Sequence, residues 1–405
     1  MALEFGQSVF EHAQRLQEEG RDANQIAKIL CEKDQQGHNY GIGIVLDGEG
    51  RAMASSSTLL EYATKEVQES TIGDYKNSNA QLETLKEAVL SWQQVPKECW
   101  SKFKLGLVSD AGTGAVKTAV ELGLMQNPAL NTLGVEALGW PAYKAIAKVA
   151  RVQFAEFAQD GIIDQENTLP IYQAGPMNTT GMVRSAEVIK QRAKVAADKG
   201  QFVVLDRAYS GFEFARELAD KGYQSVMAQS YDLQIRPFVE QGVPFCLAIS
   251  PTKAFITFAL RPCGLVLLFC PDEQEQKGAV LTLNTIIRAR GSSFEHPITR
   301  AFAKAMINDG ARLHAEHEQA LARVAEAEAV WQELVKGTAI EYLYSSDYAG
   351  LFRNPQAKDD AAVHIYEQHI YPVFASNRCR QNVTGIPADR ALAERHVKAF
   401  AEQCF

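Results

Sequence analysis

The feature that most restricts the fold is a recurring unit, in which a short apolar run ends at a polar or glycine-bearing turn and a helical pattern follows. The runs are Phe103 to Ser109, Leu133 to Leu138, Leu169 to Ala174, Phe202 to Leu205, Phe245 to Ile249 and Leu265 to Phe269. Each is too short for a buried helix and mostly apolar at successive positions, as a strand covered on both faces must be. Helical patterns over 114–123, 142–157, 182–198 and 211–221 supply the covers. The alternation predicts an α/β fold, with a large domain built on a mostly parallel sheet flanked by helices.

A smaller discontinuous α+β domain is expected beside it. Residues 312–336, RLHAEHEQALARVAEAEAVWQELVK, read as a long acidic amphipathic helix leading out of the large domain. Short strands around Tyr342, Val373 and Asn382 follow, closed by a helix over 388–403, and an N-terminal helix over about 8–33 joins them. The expected domains are 40–311, and 1–39 together with 312–405. His314 and His317 lie one turn apart on the long helix without a third ligand, so they are expected on a solvated face, as are the glutamates of 316–333.

Charge and cysteine usage narrow the function. With 41 basic and 49 acidic residues the net charge is −8, which argues against broad nucleic-acid binding. No apolar stretch approaches the roughly 20 residues a membrane helix needs. The opening MALEFGQSVFEHAQRLQEEG lacks the apolar centre of a secretion signal, and the seven cysteines show no C-x-x-C spacing. A cytoplasmic protein with reduced thiols is expected, binding neither nucleic acid nor membrane.

Three segments carry chemistry. SDAGTGAVKT, 109–118, follows a strand and opens a helix, so backbone N–H groups and the helix dipole favour a phosphate there. Val116 before Lys117 breaks a P-loop, and Lys117 stands where a dinucleotide fingerprint needs its third glycine. A plain tight turn is the competing reading. QFVVLDRAYSGF, 201–212, sets Asp206 and Tyr209 at the carboxyl edge of the sheet, where open α/β folds bind ligands, unless Asp206 merely caps the next helix. PFCLAISPTKAFITFALRPCG, 244–264, holds Ser250, Lys253 and Arg261 in apolar surroundings, where a lysine is paired, depressed in pKa, covalently used, or snorkelling at a strand end.

Together these segments resemble the aspartate and aromatic aminotransferases, pyridoxal-phosphate enzymes of fold type I, in matching order over residues 39 to 386. The resemblance implies that Lys253 binds the cofactor covalently. It implies that Gly112, Thr113, Ser250 and Arg261 hold the phosphate, that Asp206 pairs with the pyridine nitrogen, and that Tyr209 and Asn178 bond the phenolic oxygen. Trp140, in GWPAY, matches the residue stacked on the cofactor ring, although a core tryptophan is its plainer reading. Arg380, in CRQNVTGI, matches the arginine that forks onto the substrate α-carboxylate. Arg288 resembles the arginine that reaches a distal carboxylate from a neighbouring subunit, with Arg290 close by. Tyr75 resembles the tyrosine that crosses the dimer interface to the phosphate, and Gly41 the glycine loop at the substrate mouth.

The expected activity is transfer of an amino group between aspartate, glutamate or an aromatic amino acid and a 2-oxo acid by a ping-pong mechanism, in a homodimer with shared sites. A pyridoxal-phosphate lyase or decarboxylase on the same fold is the alternative. Departures from the family pattern are Ala111 in place of serine, Thr179 in place of the proline of Asn-Pro-Thr-Gly, and Ser292-Ser293-Phe294-Glu295 in place of Ser-Asn-Pro-Pro. The first 38 residues carry no clear likeness to the family's N-terminal arm.

Overall fold

The computed structural model describes residues 3–69, 74–292 and 294–405, so Ser293 of the divergent loop lies outside the described residues. The chain forms two compact units. One comprises 1–53, 176–183 and 321–405, the other 54–175 and 184–320. The divisions at 53/54 and 320/321 lie further along the chain than the 39/40 and 311/312 read from patterning, and 176–183 belongs to the terminal unit.

The second unit is built on strands β1 (Phe103–Val108), β2 (Thr132–Glu136), β3 (Gln153–Phe157), β4 (Thr168–Gln173), β5 (Val203–Arg207), β6 (Phe245–Ile249) and β7 (Gly264–Phe269). They form one seven-stranded sheet in the order β1-β7-β6-β5-β4-β2-β3. Only β7 runs antiparallel to its neighbours. Every residue of β2, β4, β5, β6 and β7 is buried, which explains their unbroken apolar runs. Val116, Ala119 and Val120 of helix Ala111–Gln126 cover one face, packed with Leu133, Leu169, Ala248 and Val266. A fully buried leucine such as Leu133 or Leu169 contributes about 2 kcal/mol. On the other face the Arg192 guanidinium lies 4.2 Å over the Tyr172 ring, and Phe238 packs against Tyr172 and Phe245.

Several expectations need correction. The helix read as 142–157 ends at Ala150, where Arg151 takes a left-handed conformation (φ 60°) and the chain turns into β3. As a half-exposed edge strand, QFAEF has no continuous apolar run and blends into the helical pattern before it. The helix read as 211–221 is a 3₁₀ turn, Phe212–Glu217, followed by the short helix Leu218–Lys221. The long helix runs Pro297–Leu334 with a break at Asp309, and it is not a uniformly solvated face. His317 and Glu328 are fully buried. Glu316 accepts hydrogen bonds from Thr58 N (3.0 Å) and Thr58 Oγ1 (2.8 Å), so it caps helix Ser57–Glu69.

In the terminal unit the N-terminal helix is two, Glu4–Glu18 and Ala23–Lys33. Gly20 (φ 83°) ends the first, and Asp22 with Gln25 forms a capping box on the second. His38–Asn39 pairs in parallel with Ile370–Tyr371, and Arg378–Asn382 pairs antiparallel with Val373–Ala375 and Phe352–Arg353. Tyr342 sits in a 3₁₀ turn rather than a strand. Trp331 stacks on Tyr344 at 5.2 Å and donates to the Val383 carbonyl at 3.0 Å, and Glu328 pairs with buried Arg353. Among the described residues, no helix is long and apolar enough to cross a membrane.

Candidate active site

Asp206 lies near the carboxyl end of β5, in register with Ala248 of the neighbouring strand β6. Lys253 occupies the short helix Pro251–Ala254 that follows β6. Both therefore stand at the edge where open parallel sheets bind ligands. The turn after β1 reaches the same loop: a methyl group on Gly112 would lie 2.5 Å from Ser250 Cβ and 2.6 Å from its Oγ. Only glycine permits that approach, which sets the Ser250 hydroxyl against the N-terminus of helix Ala111–Gln126. Ala111 holds φ 59° there, and a methyl group on Gly264 would come within 2.2 Å of the Ala111 carbonyl oxygen. Thr113 is exposed. Arg261 is exposed too, with φ 43° and its N–H bonded to the Thr257 carbonyl at 2.9 Å.

Asp206 is the electrostatic centre. Burial pushes its pKa up to about 6 and the charge of Glu136 acts in the same direction, while hydrogen bonds from Tyr143 and the Ala208 backbone pull it down. The Tyr143 hydroxyl donates to Oδ2 at 2.5 Å, and burial first, then Asp206 itself, keeps that phenol protonated. Behind this pair, buried Glu136 meets Arg184 at 3.2 Å and Arg192 at 2.9 Å, so the guanidiniums have their countercharge elsewhere. Trp140 is half-buried and meets Tyr143 edge-on at 5.4 Å. Tyr209 is buried with its ring edge-on to Phe212 at 5.7 Å, and the Lys253 ammonium lies 4.7 Å from the Phe258 ring centre.

Arg288 and Tyr75 lie along the edge strand. A cavity of about 730 Å³ there is lined by Leu107, Asp110, Arg288, Arg290 and Phe294. Arg290 is committed to Asp110 (3.2 Å) and Glu121 (3.3 Å). Arg288 is exposed and makes no ion pair among the described residues. Tyr75 is 80% exposed and stacks on Phe294 at 4.5 Å.

In the terminal unit Arg380 lies 4.5 Å over the Phe352 ring and donates to Asn24 Oδ1 (2.5 Å) and the Gly41 carbonyl (3.0 Å). Gly41 is crowded, since a methyl group there would lie 3.0 Å from both Ala27 and Val373. Asn178 belongs to a tight turn closed by Gly181 N to Met177 O (2.9 Å) and Met177 N to Met182 O (3.0 Å). With Gly181 at φ 76°, the turn forms without the proline that Thr179 replaces. Asn382, two residues after Arg380, was not singled out from sequence. Its side chain donates to the carbonyls of Ile42 and Ile44, each at 2.7 Å, and so fixes the loop after Gly41.

Residues 52–370 match the family described as aminotransferase class I and II. The chain belongs to that family. It is a pyridoxal-phosphate-dependent transaminase. Solved structures share the fold at low identity. An aromatic-amino-acid aminotransferase from Burkholderia pseudomallei, covalently bound to pyridoxal phosphate, superposes with a TM-score of 0.77 at 16% identity, over 94% of this chain and 96% of that one. The cytoplasmic aspartate aminotransferase of Saccharomyces cerevisiae gives 0.73 at 19%, over 94% and 96%. A broad-specificity aminotransferase from Leishmania mexicana gives 0.73 at 18%, over 97% and 94%.

The residues of this transaminase fit the cofactor. Its phosphate needs an anion cradle, and the helix N-terminus at Gly112 lies against the Ser250 hydroxyl. Its pyridine nitrogen needs a buried carboxylate, and its aldehyde a primary amine. Sequence reasoning missed Tyr143, which stands three residues after Trp140 in the first turn of helix Ala142–Ala150. Tyr143→Phe removes the donor that holds Asp206 ionised, so kcat is expected to fall about tenfold, the scale of a hydrogen bond to a charged group. Unchanged kcat, with the cofactor fully bound, would show that the phenol only fills space.

Proposed function

We propose that this transaminase moves the amino group of dicarboxylic and aromatic amino acids to a 2-oxo acid, with Lys253 as the cofactor-bearing residue. The observation that carries the reading is the placement of buried Asp206 and of Lys253 after two neighbouring parallel strands, with Ser250 against the Gly112 turn. Bound there, pyridoxal phosphate supplies the electron sink for bonds at the substrate α-carbon. Asp206 would hold the proton on the ring nitrogen, its carboxyl ionised opposite that positive charge. Lys253 would take the proton from the substrate α-carbon and deliver it to the cofactor's C4′ carbon, and would carry it in the opposite direction when the 2-oxo acid is aminated. Gly112, Thr113, Ser250, Arg261 and the partner subunit's copy of the Tyr75 position bind the phosphate. Trp140 stacks on the ring, and Tyr209 and Asn178 bond its phenolic oxygen. Arg380 would take the substrate α-carboxylate beside Gly41, which limits rotation about the N–Cα bond and so orients the bond to be broken.

The lyase or decarboxylase reading loses ground to the family match. The working assembly in this proposal is a homodimer, supported by the exposed Tyr75–Phe294 pair and by the exposed Arg288 on the same edge, which has no ion pair among the described residues. A cytoplasmic setting is supported by seven free cysteines. Titrating the holoenzyme with aspartate, glutamate, tyrosine and phenylalanine while recording its visible spectrum tests the substrate class. Conversion by aspartate or glutamate, and its reversal by 2-oxoglutarate, is expected; silence toward all four would refute it.

Arg288 is assigned the distal carboxylate because Arg290 is held by two acidic partners. Arg288→Leu is expected to lower kcat/KM for aspartate and glutamate at least about a hundredfold, the scale for truncating one partner of a desolvated charge pair. Phenylalanine, which carries no distal charge, should be spared. Equal losses for both substrate classes would reduce Arg288 to a structural role.

A further inference from the structure

We propose that Arg207 is a positioning residue for Tyr209, holding through shared hydrogen-bond acceptors the turn that carries the Tyr209 phenol. The proposal rests on the reading of Tyr209 as a contact to the cofactor's phenolic oxygen. Arg207 is the last residue of β5 and directly follows Asp206, so strand alternation turns its side chain to the opposite face of the sheet. It is fully buried there, and so is the Glu213 carboxylate that it meets at 3.3 Å. Such a pair is a poor source of stability, because apolar side chains of similar volume often do as well. What the guanidinium supplies is direction, since its donors are set in a rigid fork. Nη1 donates to the Ala174 carbonyl at 2.8 Å, Nε to Gln93 Oε1 at 3.1 Å and Nη2 to Ser230 Oγ at 2.6 Å.

Each of these acceptors is also tied to the strand end or to the turn after it. Ala174 N donates to the Asp206 carbonyl at 2.7 Å, so Ala174 links the Asp206 backbone to the Arg207 side chain. Gln93 Oε1 also accepts from Ser210 Oγ at 3.3 Å. A guanidinium can only donate, which fixes the amide oxygen of Gln93 as the end that faces it. Ser230 Oγ accepts from Gly211 N at 3.2 Å and donates to Glu213 Oε1 at 2.6 Å, so this hydroxyl uses its proton and both lone pairs.

The segment 207–213 is thereby closed at its base by an ion pair and pinned at Ser210 and Gly211 through acceptors that Arg207 shares. Tyr209 lies between the pinned residues, and its carbonyl accepts from Phe212 N at 3.3 Å. A methyl group on Gly175 would lie 3.1 Å from that carbonyl oxygen, so the turn sits close against the chain that Arg207 holds at Ala174. Gln93 follows helix Leu82–Trp92 and Ser230 lies in helix Tyr223–Gln234, so elements remote in sequence set the place of the phenol. The turn cannot shift without breaking several of these bonds together.

The test is the pH midpoint of the visible absorption change of the resting holoenzyme, which reports hydrogen bonding to the phenolic oxygen. Tyr209→Phe sets the reference shift. Arg207→Lys keeps the charge beside Glu213 but has one ammonium in place of the fork, so it cannot meet Ala174, Gln93 and Ser230 together. It is expected to move the midpoint in the same direction by at least about a third of the reference and to weaken cofactor binding about tenfold, the scale of a lost hydrogen bond to a charged group. Ser230→Ala, which removes the acceptor shared by Arg207 and Gly211, should give a smaller shift of the same sign, and it carries the test alone should Arg207→Lys not fold. In a Tyr209→Phe background neither variant should add a further shift. A midpoint unmoved in either folded variant while Tyr209→Phe shifts it, or the same shift in both backgrounds, overturns the positioning role. No shift in Tyr209→Phe itself would instead refute the assignment of Tyr209 on which the proposal stands.

Discussion

Asp206→Asn is expected to remove most of the activity and, at the same time, to make the cofactor-free protein more stable. The two effects share one cause. Burial raises the pKa of Asp206 from the ordinary 3.8 to about 6, so the folded chain without cofactor bears the cost of a desolvated carboxylate at neutral pH. For an acid whose folded pKa is raised, the cost is absent below the unfolded value, grows between about pH 4 and 6, and is constant above. Its full size is about 3 kcal/mol, from a shift of roughly two units. Asparagine keeps an oxygen for the Tyr143 hydroxyl and carries no charge. Urea unfolding of the cofactor-free proteins should therefore find the variant more stable by up to that amount at pH 7, with the gap closing near pH 4. Activity should fall at least about a hundredfold, the usual scale for losing one preorganised electrostatic partner. Equal stability at pH 7, or activity within a few fold of the parent, would contradict the role given to Asp206.

The sequence left Asp206 open between a helix cap and a ligand-binding carboxylate; the structure adds its burial and its hydrogen bond from Tyr143. The positions of Asp206 and Lys253 were legible because Asp206 ends one buried apolar run and Lys253 lies four residues beyond another, and such runs mark the strand ends of a parallel sheet. Tyr143 and Asn382 were not, since each acts on a partner distant in sequence: Tyr143 on Asp206, Asn382 on the carbonyls of Ile42 and Ile44. β3 was hidden because an edge strand covered on one side lacks the continuous apolar signal. Glu328 and His317 were misjudged for the opposite reason. An acidic helix looks solvated until a buried Arg353 or a Trp92–Tyr223 pair, placed by other parts of the chain, turns one of its faces inward. The departure at Thr179 leaves the turn intact, because Gly181 supplies the positive φ and the turn closes through Gly181 N to Met177 O.

Lys253→Arg should be as damaging as Lys253→Ala. Arginine keeps the positive charge but stays protonated at any working pH and so cannot take a proton from the substrate α-carbon. Loss of the proton carrier alone costs about a hundred- to ten-thousandfold, and both variants also lose the amine that holds the cofactor. Single-turnover rates on either variant near those of the parent would show that the proton passes elsewhere.

The account depends most on the identity of that lysine. Reduction of the resting holoenzyme with borohydride, digestion and mass analysis of the labelled peptide locate the cofactor directly. The adduct is expected on the peptide bearing Ser250-Pro251-Thr252-Lys253, one per chain, and absent from Lys253→Ala. A stoichiometric adduct on any other lysine, or undiminished labelling of Lys253→Ala, would contradict the account.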